Sequence, residues 1–173
     1  RAPEGLRQYG PVTHAPPSSA QRPAAPHRLV CHPATPCALT LQIGVDLSLA
    51  GHAAGPGLLL RYEVLGDIGR LRLPEPAPQG PADGLWQHTC FEAFVGATGD
   101  AAYREFNFAP SGQWAAYRFS AERQRDTTAE AAQAPVSPSI ELNPAADRLC
   151  LQAWLPLHAL PDPTAPWDVG LTA

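Results

Sequence analysis

Between Leu39 and Leu49, apolar and polar residues alternate without a break. Leu39, Leu41, Ile43, Val45, Leu47 and Leu49 interleave with Thr40, Gln42, Gly44, Asp46 and Ser48. An extended chain sends successive side chains to opposite faces, so this stretch predicts a strand with one buried side. Arg28–His32 predicts a short opening strand, stopped by Pro33 and Pro36. A Gly-rich turn over residues 50–57 is followed by Leu58–Leu65, the expected returning arm of a hairpin, and Leu71–Leu73 reads as a stub of strand. Pro74, Pro76, Pro78 and Pro81 remove ladder donors, which makes residues 74–84 a surface loop crossing between sheets.

Three ring-rich runs follow, over residues 85–95, 103–108 and 114–119, with Gly-containing turns between them. They predict three consecutive antiparallel strands. Residues 120–139 are polar and Ala-rich, with one helical turn expected near 129–133 and closed by Pro135 and Pro138. Residues 140–142 and 148–155 form another hairpin around Asn143-Pro144, and Trp167–Thr172 starts a last strand. Eight or nine short strands with almost no helix predict an all-β antiparallel sandwich, jelly-roll-like, over residues 28–173. Residues 1–27 hold six prolines and few large apolar side chains. They cannot bury enough surface to offset chain entropy and are expected to be a disordered extension.

Composition narrows the classes. A chain of 173 residues suits one domain with a tail. The formal net charge is −4, and residues 28–173 alone carry 9 arginines against 15 carboxylates, so no nucleic-acid footprint is present. No apolar run reaches the roughly 18 residues that a membrane span needs. The chain lacks Met, opens at Arg1 and closes inside strand-like sequence, so both ends are read as cut from a longer chain. Cys31, Cys37, Cys90 and Cys150 match neither zinc spacing nor a tight disulfide framework. Four plain thiols are expected, with a Cys31–Cys37 loop closure as the alternative; thiols favour the cytoplasm.

The candidate chemistry lies in the three-strand block. One consistent face assignment sends Phe91, Val95, Phe106, Phe108, Tyr117 and Phe119 inward. Glu92, Glu105, Asn107, Trp114 and Arg118 then line the opposite face, with Trp86 and His88 at its edge. Rings stack on the C–H faces of a sugar, while carboxylates, amides and a guanidinium bond its hydroxyls. The competing reading is a solvated sheet face with cross-strand Glu–Arg pairs. His88, Cys90 and Glu92 share one strand side, and such neighbours do not converge on one metal ion. Glu92 and Glu105 raise a glycosidase pair, which needs carboxyls roughly 5–10 Å apart and a cleft that separates their pKa values. No G-x-S-x-G, P-loop or G-x-G-x-x-G motif is present, so a non-enzyme is expected.

The runs Trp86-Gln-His-Thr-Cys-Phe-Glu92-Ala-Phe and Tyr103-Arg-Glu-Phe-Asn-Phe-Ala-Pro-Ser-Gly-Gln-Trp114 resemble the bacterial DOMON-like domain proteins, relatives of the family 9 carbohydrate-binding modules. Leu29–Pro33 and Asp83–Trp86 resemble that family's opening and its approach to the central block. The resemblance covers residues 28–173. It implies a sandwich that binds a sugar or a haem without catalysis, with Trp86 and Glu92 matching the module's Trp and Glu. It also places Glu105, Asn107 and the Pro110-Ser-Gly112 turn on the following hairpin. Two features depart from the pattern. His88-Thr89-Cys90 stands where the sugar modules usually have an acidic residue, and the absence of Met removes the Met/His haem ligation of the cytochrome type. A haem here would need His88 and a second histidine. A protein-interaction sandwich using the exposed rings is the remaining alternative.

Overall fold

The computed structural model describes residues 27–134 and 136–173. Eleven strands and one helix are found there. The chain runs through β1 (His27–Leu29), β2 (Leu41–His52), β3 (Gly55–Gly66), β4 (Gly80–Pro81), β5 (Phe91–Ala97), β6 (Tyr103–Phe108) and β7 (Gln113–Ala121). It continues through β8 (Gln124–Arg125), α1 (Thr127–Ala132), β9 (Ser139–Pro144), β10 (Arg148–Pro156) and β11 (Trp167–Thr172). A five-stranded sheet in the order β1-β2-β3-β10-β9 faces a six-stranded sheet in the order β11-β5-β6-β7-β4, with β8 paired to β7. Pairing is antiparallel throughout, except between β4 and β7. The expected β-sandwich is the observed architecture. The disordered extension expected over residues 1–27 lies outside the described residues apart from His27, which opens β1.

The period of two seen in Leu39–Leu49 acts as predicted. Val45 pairs with Tyr62, Ile43 with Val64 and Leu47 with Leu60 on the inner side of the β2–β3 ladder. The hairpin is longer than its sequence suggests. Residues 50–57 were expected to turn, but the strands run on and leave Ala53-Ala54 as the turn. Gly55 takes φ +113°, a conformation open to glycine at little cost. Tyr62, Leu60 and Val95 are fully buried with Phe106, Phe108, Leu149, Leu151 and Leu155, which fuses both sheets into one core. Tyr62 also spans the layers: its hydroxyl donates to the Glu92 carbonyl at 2.7 Å.

Outside the five-stranded sheet, Trp154 is only 5% exposed, because His52 stacks on it at 4.4 Å between ring centroids. Gly57 lies against the indole: a Cβ there would collide with the Leu155 carbonyl and the ring. The stub of strand expected at Leu71–Leu73 does not form; a 3-10 turn over Ile68–Arg70 precedes it. The helical turn expected near 129–133 is α1, capped by Asp126, whose side chain accepts from the Ala129 amide at 2.8 Å.

Candidate functional site

The central three strands keep two of the three predicted faces. Glu92 pairs with Asn107, and Phe94 pairs with Glu105, on the outer side of β5 and β6. Phe91, Ala93, Phe106 and Phe108 are buried on the inner side. The assignment for β7 is inverted. Phe108 pairs with Trp114, Glu105 with Tyr117 and Arg104 with Arg118. Trp114 and Arg118 therefore share the inner side with the phenylalanines, while Tyr117 and Phe119 share the outer side with Glu105 and Asn107. The physical reason is hairpin register: the Ala109–Gly112 turn fixes which parity of β7 meets β6, and a one-residue difference exchanges the faces.

A second correction concerns Trp86 and His88. The run from Leu85 was expected to be strand, but β5 starts only at Phe91. Gly84, at φ +72°, opens a 3-10 turn over Leu85–Gln87 instead. This turn packs over β6 and β7. Its approach is tied at Asp83, which accepts the Tyr117 hydroxyl at 2.9 Å. Its exit is tied at Thr89, whose hydroxyl donates to the Arg72 carbonyl at 2.9 Å. Behind Asp83 sits a charged brace. The Arg125 guanidinium lies 4.2 Å above the centre of the Tyr117 ring and forks the Glu130 carboxylate at 2.9 Å.

Asn107 is 0% exposed although it points away from the hydrophobic core. Its amide nitrogen donates to Glu105 Oε1 at 3.1 Å. Its Oδ1 is buried without a hydrogen-bond partner among the described residues, which carries a desolvation cost. Burial pushes the Glu105 carboxyl above its ordinary value; the Asn107 hydrogen bond pulls it back, and the Glu92 charge adds to the rise. A carboxyl raised by folding favours the protonated form, so its contribution to stability is lost as pH climbs through the raised value. Glu105→Gln should therefore melt higher than wild type at pH 7. The gain should vanish below roughly pH 4, where Glu105 is protonated folded or unfolded. Thermal unfolding at both pH values measures this, and an equal gain at both would mean that ionisation is not the cause.

The structure splits the seven predicted side chains into three groups. Trp86, His88 and Glu92 line a cavity of about 470 Å³ where β2 and β5 begin and β11 ends. Glu105 and Asn107 adjoin Glu92 on the outer sheet face but do not line that cavity. Trp114 and Arg118 lie on the other side of the sheet. Thr172, not among the predicted site residues, donates to Glu92 Oε2 at 2.8 Å from the end of β11. The cavity's inner wall is apolar, with Leu41, Ile43, Val64 and Phe91. No alternation pattern announced it, because its lining comes from five separate segments. Trp86 is 62% exposed and Val30 88% exposed at its rim.

All four cysteines are free, Cys31 and Cys37 exposed and Cys90 and Cys150 buried. Burial, then the Glu92 charge, pushes the Cys90 thiol up to about 12, so it stays protonated and is no nucleophile. Among the described residues no helix is long and apolar enough to cross a membrane. Comparison with protein-family models, with curated proteins and with solved structures finds no match to this chain.

Proposed function

We propose that this chain is a non-catalytic module that binds a small hydroxylated ligand, carbohydrate being the leading class, at the cavity mouth carrying Trp86, His88 and Glu92. The observation that carries the reading is the exposed Trp86 indole at the rim of a cavity that also presents His88, Glu92 and Thr172. A cavity of about 470 Å³ falls within the ~300–1,000 Å³ range of small-molecule sites. The indole offers a face for C–H stacking, and the carboxylate and imidazole offer directional partners for hydroxyls. The apolar inner wall suits a ligand with a greasy substituent on its polar ring. The resemblance of residues 86–114 to DOMON-like domains supports the same reading.

Binding is favoured over hydrolysis because Glu92 lines the cavity and Glu105 does not. A carboxylate pair would have to face one substrate from both sides. A haem held by two histidines is disfavoured because, among the described residues, His88 has no second histidine beside it in the cavity.

The test is a glycan array on wild type and Trp86→Ala. The variant should lose at least about tenfold in affinity, ~1.4 kcal/mol, with its melting temperature unchanged because the ring is largely exposed. Wild-type affinity in the variant would remove the proposal. Self-association that rises with concentration and disappears in Trp86→Ala would favour the interface reading instead.

A further inference from the structure

We propose a second, separate binding site for a phosphate or sulfate group, built from Arg104 and Arg118 at the far end of the six-stranded sheet. The two arginines are direct Cα partners on β6 and β7, so their side chains leave the same face side by side. Like charges placed directly opposite on neighbouring strands repel. Among the described residues no carboxylate forms an ion pair with either one. That is unexpected in a domain whose carboxylates outnumber its arginines 15 to 9 over residues 28–173. Both guanidiniums are half-buried and line a cavity of about 270 Å³. The cost of the arrangement shows at Arg104, which burial and then the Arg118 charge lower to about 10.

The surroundings do not relieve the pair. Arg104 reaches only the His158 carbonyl, at 3.4 Å, which is weak geometry. Asp100 and Asp162 also line the cavity, but each gives its Oδ1 to a local turn. Asp100 accepts the Ala102 amide at 3.1 Å, and Asp162 accepts the Thr164 amide at 2.9 Å. Neither carboxylate pairs with the guanidiniums, but both lie in the same cavity and keep its affinity for an anion modest. Two adjacent guanidinium forks match the oxygens of a tetrahedral oxyanion, which would satisfy donors left idle and cancel the repulsion. Tyr103 and Phe119, direct partners one position along, stack 4.7 Å apart on the opposite face of the sheet and hold the two strands in register there. The class indicated is a phosphate or sulfate group. This site lies at the Ala97 end of β5 and the Trp86 cavity at the Phe91 end, roughly 20 Å along the strand. The two proposals therefore stand or fall separately.

The probe is inorganic phosphate, titrated into the full chain by calorimetry at constant ionic strength, with chloride as control. Wild type should bind one phosphate saturably and melt higher with it than with chloride. Arg118→Gln should weaken binding at least tenfold. Without phosphate it should be no less stable than wild type, because repulsion is relieved. Arg118→Lys should keep the fold and the charge yet lose several-fold in affinity through loss of the fork. The proposal is overturned if phosphate stabilises no more than chloride, if Arg118→Gln binds phosphate as wild type does, or if Arg118→Lys binds unchanged. It is equally overturned if Arg118→Gln is destabilised without phosphate, since the guanidinium is then a structural contact.

Discussion

Trp114→Ala is expected to lower the free energy of unfolding by about 2–4 kcal/mol. The indole sits on the inner side of β7, across from Phe108, and packs against the core cluster while one edge reaches the surface. Truncation removes a large apolar surface where two sheets meet, and the neighbours cannot collapse into the space because β-strand backbones hold them apart. The upper end of the range applies to fully buried rings, so the lower half is expected here. Urea unfolding measures the effect. A loss under about 1 kcal/mol would place the ring outside the packing and restore it as a candidate ligand platform.

Gly57→Ala should cost about 3 kcal/mol, near the top of what overpacking usually costs. The added methyl meets the Leu155 carbonyl and the Trp154 indole at once. The carbonyl belongs to the β3–β10 ladder, where Trp154 pairs with Leu59 and Leu155 with Leu58, so it cannot withdraw without breaking register. The indole is pinned from its other side by His52. Denaturant unfolding gives the cost, and tryptophan fluorescence should shift as the ring is displaced into water. An unchanged midpoint with unchanged emission would mean that the ring has room to move.

The strand pattern was readable wherever one side of a strand is buried and the other wet. β2 shows this over its Leu41–Leu49 span, and β11 was placed at its observed limits from Trp167 to Thr172. What pattern cannot supply is phase between strands. The parity of β7 follows from the four-residue turn after Phe108, and both phases of Trp114–Phe119 put rings on each side. Trp86 was misplaced for a related reason. Ring-rich sequence before Phe91 looks like strand, yet Gly84 in the left-handed region turns the chain into a 3-10 turn. The end cavity was invisible because its walls join Leu41, Val64, Trp86, Glu92 and Thr172, which only the packed sheets bring together. Arg118 carries a visible charge, but only the β6–β7 register makes Arg104 its direct neighbour.

The hydroxyl of Tyr62 reaching the Glu92 carbonyl has a mechanical consequence. Glu92 belongs to one layer and Tyr62 to the other, and the bond is sheltered from competing water. Any breathing of the two layers is thereby transmitted to the residue at the cavity mouth, and occupancy of the mouth should in turn damp that breathing. Amide exchange along β10, which pairs with β3 and contributes nothing to the cavity wall, is where a bound molecule would leave its most distant trace.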